Sequence, residues 1–466
     1  MSSNEEEAVL HLREAPVTNT DRGLRRAIIA LAIPVSLEAI LQMSLGFIDQ
    51  VVVGRLGVSA LAAAGLTNNM MSLMTLVVAA IAASASILVA QHHGRGDSEG
   101  VARVTGCAVV SALVVSVPPT IVTALFPGEA LHLLGAEPDV VEHGRRFFQI
   151  MAFTLPLSLL SAVAIGVMRS LGDSRTPMFI TMAAVLSNTV LCLVLVFGLG
   201  SIPALGIAGA AAATLISHIF RLGLLAYVLR ARLQASSFPL SRFTGFGKQV
   251  VKALLALAYP IMLTDVLWGI GNFTHALIGV RIGTTAVAST QMVGATLGVM
   301  NAIPLGLCVA GLTLVGQEIG AGNLPGLRRS ARETLTLSIY TSVLLGVALA
   351  AMSLVERRLY PNVTQAVING AALGLLLNGL FYPAMVINLV VGNGILRAGG
   401  DARFVLFASL ASVYGVGIPL TLALVFWLKL GLWGVFLGRG AEEVSRSVIL
   451  LARYRTSRWY QSALER

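Results

Sequence analysis

Apolar residues run along this chain in long blocks bounded by Gly, Pro and charge. The blocks fall near 27–53, 58–91, 103–126, 140–168, 176–198 and 204–230, then near 250–280, 284–316, 330–354, 362–396, 402–426 and 431–455. A helix crosses a bilayer with about 20 apolar residues, so each block is long enough to span. The pattern predicts an all-α polytopic membrane protein of twelve transmembrane helices. The longest polar connection, ARLQASSFPLSRFTGFGK, follows the sixth block. It divides the chain into a tail over 1–26, a first lobe over 27–231, a linker over 232–249, a second lobe over 250–455 and a tail over 456–466.

Composition narrows the function classes. Of 466 residues, 56% are apolar and 12% charged, against roughly 25% charged in a soluble domain. So little charge cannot cover a soluble globule, which excludes a secreted enzyme, a disordered scaffold or a nucleic-acid reader. The net charge of +10 has no basic domain to carry it. With the amino terminus inside, 25 of the 32 Lys and Arg fall on the cytoplasmic side, the bias that orients membrane proteins. The basicity therefore reports topology: a multi-pass cell-membrane protein with both ends cytoplasmic. The first 26 residues are polar and acid-rich and lack an apolar signal core, so they read as a cytoplasmic tail. Cys107, Cys192 and Cys308 all sit inside apolar blocks, with no disulfide or metal-ligand spacing.

The chain repeats itself. A shift of 226 aligns 31–97 with 257–323 without a gap, placing Pro34 on Pro260, Phe47 on Phe273, Arg55 on Arg281 and Gln91 on Gln317. A shift of 228 lays GVMRSLGD at 166–173 on GILRAGGD at 394–401, and one of 225 lays Leu205-Gly206 on Leu430-Gly431. Leu and Ala match by chance in apolar helices, but Pro, Arg, Gln and Gly do not. The protein is thus two copies of a six-helix unit. Six is even, so both copies enter from the same side and are related by a pseudo-two-fold axis along the membrane normal. Such duplicated bundles hold a binding cavity between lobes that opens alternately to either face.

Several of these segments also carry a resemblance. GFIDQVVVGRLG after Pro34 and Gln42, IGTTAVAS followed by LVGQEIGAGN (314–323), the RSLGD and RAGGD turns, and LGIAGAAAATLIS (205–217) resemble the multidrug and toxic compound extrusion (MATE) family from about 25 to 455. The resemblance implies two six-helix lobes and cation-coupled export of small organic molecules. Two positions depart from the family pattern. The fifth span has Asn188 but Cys192 where an Asp is customary, and Trp268 stands eight residues after Pro260, where the sodium-coupled branch carries Glu.

The candidate residues follow. Asp49 lies six residues before Arg55, about 9 Å inside the outer end of span one at 1.5 Å per residue. A carboxylate there costs several kcal/mol if ionised and unpaired, so it faces a cavity or takes up a proton. It matches the family's first-span Asp. Glu38 and Gln42 share its helical face, eleven and seven residues earlier. Asn188 joins Asp49 and Glu38 as the cation-coupling set through its family position. Span seven carries Asp265, Trp268, Asn272 and His275 as a second stripe, with His275 at the repeat position of Asp49. With Asn68, Gln291, Asn378, Tyr382 and Gln42, these form the expected substrate cavity. Pro34 removes a helix hydrogen bond and marks a hinge. His218 and Arg221 align with Glu443 and Arg446, either an inner ionic gate or a structural pair.

No nucleophile–base pair, metal cluster or phosphate loop is present, so neither an enzyme nor an ATP-driven pump is expected. The reading is a secondary antiporter, without cofactor and monomeric. It exports a small amphipathic or cationic compound in exchange for protons or sodium. The alternatives are a lipid or lipid-linked-sugar flippase of the same superfamily and a non-transporting membrane sensor.

Overall fold

A computed structural model describes residues 21–133, 138–200, 203–235, 247–355, 363–456 and 458–464. The acidic tail before Asp21 and the linker residues 236–246 lie outside the described residues. Among the described residues every regular element is a helix. The first repeat holds α1 (Asp21–Gly54), α2 (Val58–Gly94), α3 (Ser98–Leu125), α4 (Pro127–Leu133), α5 (Pro138–Ala152), α6 (Thr154–Ser170), α7 (Arg175–Phe197) and α8 (Ile207–Ala235). The second holds α9 (Lys248–Ile282), α10 (Thr284–Gly320), α11 (Leu324–Met352), α12 (Gln365–Ile387), α13 (Ala402–Ser412), α14 (Ile418–Leu422), α15 (Leu432–Arg455) and α16 (Arg458–Leu464). Among the described residues, eleven helical stretches are long and apolar enough to span. The twelfth span, α15, falls short because Arg439, Glu442, Glu443 and Arg446 interrupt its apolar run.

Three spans are built less simply than their hydropathy suggests. The fourth breaks at Phe153, between α5 and α6. Pro156 sits in the first turn of α6, where its missing N–H leaves no bond unmade. The tenth continues from α12 into a π-helical stretch, Asn388–Leu396. The eleventh joins α13 and α14 through one π-helical turn, Val413–Gly417, and ends in another, Ala423–Trp427. The first of these turns directly precedes Pro419, which offers no N–H and crowds the carbonyl four residues back.

The repeat is written into the corners. Gly57 and Gly283, at φ 116° and 136°, precede α2 and α10. Only a residue without Cβ adopts that backbone at little cost. Asp97 and Asn323, again 226 apart, cap α3 and α11 by accepting the backbone N–H of Gly100 at 2.8 Å and of Gly326 at 3.1 Å.

The chain forms two compact units, and their limits fall inside α1 and α9, not in the linker. One unit takes Leu37–Met262; the other takes Pro16–Ser36 and Leu263–Arg466. Both limits lie two residues past a repeated proline, Pro34 or Pro260. The core of unit 1 includes Val52, Val53, Phe147, Cys192 and Val196, with a second cluster at Met71, Leu131 and Phe148. The core of unit 2 gathers Leu24, Ile28 and Ala32 of α1 with Leu307, Leu375, Tyr382, Val391 and Leu450. Backbones touch there: a Cβ on Gly306 would lie 2.3 Å from the Ala32 carbonyl oxygen, and the Ser36 hydroxyl donates to the Ile303 carbonyl at 3.2 Å.

Candidate functional site

In unit 1 the polar groups converge on α1. Glu38 is fully buried and is met from three other helices. Arg169 of α6 reaches Oε2 at 2.7 Å, and Arg221 of α8 reaches Oε1 at 3.5 Å. The Thr181 hydroxyl of α7 donates to Oε1 at 3.0 Å, and Gln42, one turn along α1, donates to the same oxygen at 3.3 Å. The carboxylate therefore has its charge matched and its lone pairs occupied.

Asp49 lies eleven residues on, about 16 Å along the helix, and its surroundings differ. Its Oδ1 is buried with no hydrogen-bond partner. The thiol of Cys192 on α7, which is itself fully buried, lies against its carboxyl. Asn188, one turn before Cys192, donates through Nδ2 to Thr214 Oγ1 at 3.3 Å, while its Oδ1 is buried and unpartnered. The residue that replaces the family's second acid is thus the one that touches Asp49.

Unit 2 repeats the theme with different residues. Arg397, the repeat mate of Arg169, holds Asp265 at 3.2 Å. An acid on span seven is again paired with an arginine at the end of the span before the Gly-Asp corner. Farther along α9, Asn272 accepts from Arg439 at 2.7 Å. His275 is buried, with Nε2 at 3.2 Å from Glu442 Oε2. Arg446 lies 3.0 Å from Glu442 Oε1, and Asn388 donates to Glu443 Oε2 at 2.7 Å. Arg446 and Arg221 are repeat mates, and each completes an acid cluster in its own unit.

The other expected cavity residues are scattered. Trp268 is exposed, and its carbonyl accepts from Asn272 at 3.0 Å. Gln291 is exposed and Asn68 half-buried. Asn378 bonds its own helix at the Gly374 carbonyl, 2.8 Å away, and buried Tyr382 donates to Asn301 at 3.1 Å. Pro34 lies inside an unbroken α1. The sequence reading counts Arg169 and Arg397 only as cytoplasmic charge. Their shared place in the GVMRSLGD and GILRAGGD repeat is the signal that marks them as partners of the span-one and span-seven acids.

Comparison with known proteins places this geometry. The MatE family model matches residues 34–194 and again 260–423, so each match opens on a repeated proline. A probable multidrug resistance protein NorM of Deinococcus radiodurans is 30% identical over 447 residues, covering 94% of this chain and 97% of that protein. One of the same name from Thermotoga maritima is 26% identical over 444 residues, covering 95% and 94%. The crystal structure of the MATE transporter VcmN of Vibrio cholerae superposes with a TM-score of 0.83 at 18% identity, covering 94% of this chain and 99% of that one. A match to the family model over both repeats, with the same twelve-helix, two-lobe fold, makes this chain a member of the MATE family of membrane transporters.

Proposed function

We propose that this protein is a secondary active antiporter of the cell membrane. It exports small amphipathic or cationic organic compounds by alternating access, in exchange for protons, with both termini cytoplasmic. The names of its relatives, multidrug resistance proteins, support the cargo class. The observation that carries the coupling is Asp49, a carboxyl within a spanning helix whose Oδ1 is buried and unpartnered. Glu38 lies on the same helix face, but its charge is already matched by Arg169 and Arg221. The charge of Asp49 is matched only by a thiol dipole, and a bare charge in so apolar a place is costly. Two events relieve it: a proton arrives, or a cationic substrate does.

The two exclude each other, which is the requirement for exchange. With Asp49 ionised the unit favours a cation beside it. Protonation from outside removes that attraction and the substrate leaves. Pro34 supplies the bend through the helix hydrogen bond it lacks. Trp268, exposed on unit 2, offers an aromatic face on which an organic cation gains by cation–π attraction. Within this scheme Glu38 positions span one, Asn188 supplies an amide oxygen beside the coupling acid's helix neighbour, and Asp49 carries the proton.

The test is ethidium transport in everted vesicles, where efflux through the protein fills the lumen, with proton and sodium gradients imposed separately. Asp49→Asn is expected to insert normally and to lose pH-gradient-driven efflux down to the empty-vesicle rate. Undiminished efflux in that variant, or wild-type efflux that follows sodium alone, refutes proton exchange at Asp49.

A further inference from the structure

The register of 226 that superposes the two repeats puts His275 where the first repeat has Asp49. The histidine is buried in unit 2, and both its ring nitrogens have defined neighbours. Nε2 faces Glu442 Oε2 at 3.2 Å. Nδ1 faces Thr421 Oγ1 at 3.4 Å. The hydroxyl of Thr421 donates to the Gly417 carbonyl at 2.8 Å, which leaves a lone pair for the ring. A carboxylate only accepts. Both ring nitrogens therefore face oxygens that accept, so the His275–Glu442 pair holds one proton more than a neutral ring beside a bare carboxylate with every N–H partnered; without that proton the Thr421 hydroxyl turns to donate to Nδ1. We infer that His275 and Glu442 form a second proton-carrying site, placed in unit 2 at the repeat position of Asp49.

The surrounding charges suit the cycle. With the extra proton the pair is neutral overall; without it the pair carries one negative charge, and Nε2–H still donates to Glu442. Glu442 keeps a partner in either state, because Arg446 holds its other oxygen at 3.0 Å. Among the described residues, the remaining ionisable groups around the pair are Arg439, which donates to Asn272, and Tyr414, whose hydroxyl is fixed to the Leu267 carbonyl at 2.8 Å. Loss of the proton thus moves the Thr421 hydroxyl from the Gly417 carbonyl to the ring without stranding either acid or arginine.

The backbone is built to respond. The element that carries Thr421 is a single α-helical turn, Ile418–Leu422, between the π-helical turns Val413–Gly417 and Ala423–Trp427. Widened turns of this kind recur at functional sites because they shift register at small cost. Gly417 is the last residue of the first one, and a Cβ there would lie 2.6 Å from Glu442 Oε2. The carboxylate is thereby seated directly against the widened turn.

This inference rests on the antiport reading, and the two fail separately. In proteoliposomes with the membrane potential clamped, the limiting ethidium ratio at one unit of pH difference reads the number of protons exchanged per cation. Two protons sustain about a 100-fold ratio and one proton about a 10-fold ratio. His275→Gln, with Asp49 intact, is expected to lower the ratio from about 100-fold to about 10-fold; an unchanged ratio overturns the second site.

The second measurement needs no transport. In ¹⁵N-histidine spectra of the protein in nanodiscs, the resonance missing from His275→Gln belongs to His275. A ring that changes between its doubly and singly protonated forms as the pH is varied supports the site. A ring fixed in one form throughout overturns the site. Thr421→Val, which removes the Nδ1 contact and the hydroxyl's bond to the Gly417 carbonyl but leaves Glu442 in place, shifts the same resonance and identifies it if His275→Gln fails to insert. A wild-type protein whose His275 titrates but which accumulates no ethidium against a pH gradient overturns the antiport reading and leaves the protonation site standing.

Discussion

Glu38→Gln is the most informative stability perturbation in unit 1. One carboxylate there answers two guanidiniums, so neutralising Glu38 makes the cluster more positive by one charge. At an effective dielectric of about 20, Arg169 at 2.7 Å and Arg221 at 3.5 Å contribute gross attractions of about 6 and about 5 kcal/mol. Desolvation of three buried ions offsets most of this. What remains visible on removing one partner is about 3–5 kcal/mol, because the other charges stay buried and unmatched. Arg221→Gln acts differently, since it leaves the shorter Glu38–Arg169 pair balanced at zero net charge. Its expected cost is under about 1.5 kcal/mol, the size of one charged hydrogen bond at long range. The double variant Glu38→Gln/Arg221→Gln should then be more stable than Glu38→Gln alone, a sign that simple loss of contacts does not produce. Unfolding of purified protein in mixed micelles, followed by circular dichroism against the mole fraction of SDS, ranks the three. If Glu38→Gln costs less than about 1 kcal/mol, as exposed ion pairs do, or if Arg221→Gln costs as much as Glu38→Gln, the charge accounting is wrong.

Two further expectations concern packing and a corner. Gly346 of α11 and Gly379 of α12 face each other so closely that a Cβ on either would lie 2.6 Å from the other's carbonyl oxygen; Gly346→Ala should destabilise by about 1–3 kcal/mol through forced separation of the backbones, and a neutral result in the same SDS titration refutes the contact. At the corner before α3, burial pushes the Asp97 carboxyl up, but the Gly100 N–H, the His92 ring at 2.8 Å and Arg103 outweigh it and hold it below its usual value. A carboxyl lowered on folding adds stability above its unfolded value and loses it as pH falls through the folded one. Asp97→Ala should therefore cost about 1 kcal/mol at neutral pH and progressively less toward acid. Asp97→Asn should cost only a few tenths, since Asn323 already makes the same cap in the second repeat. A loss that does not shrink on acidification contradicts the charged part of the cap.

The repeat is the part of this fold most legible from sequence, because Pro, Arg, Gln and Gly are placed by geometry and not by apolarity. Spans and corners followed from it. What hydropathy could not foresee is the π-helical run in spans ten and eleven, because a widened turn leaves composition and length unchanged. It also reads α15 as an ordinary span, although Arg439, Glu442, Glu443 and Arg446 lie along it; the partners of Arg439, Glu442 and Glu443 come from α9 and from the π-helical stretch that follows α12, elements far away in sequence. The same blindness applied at Glu38. Helical spacing put it on the face of Asp49 and so suggested a shared role, but only the fold brings Arg169 and Arg221 to it and leaves Asp49 without them. Cys192 looked like a lost acid when judged alone. Beside Asp49, it is a group that offers a weak proton donor in place of a second negative charge.

The position of the unit limits, two residues past Pro34 and Pro260, bears on how such a protein can be cut or have been assembled. Each repeat lends its opening half-helix to the compact unit that contains the bulk of the other. A gene fragment encoding one repeat would thus lack a segment of its own core and carry an orphan segment belonging elsewhere. Two identical fragments can cure this by trading those segments, as in a domain-swapped dimer. A nick in the linker leaves both halves dependent on being synthesised together, and a fusion that keeps one half intact has to bring the other half's first fifteen or so helical residues with it.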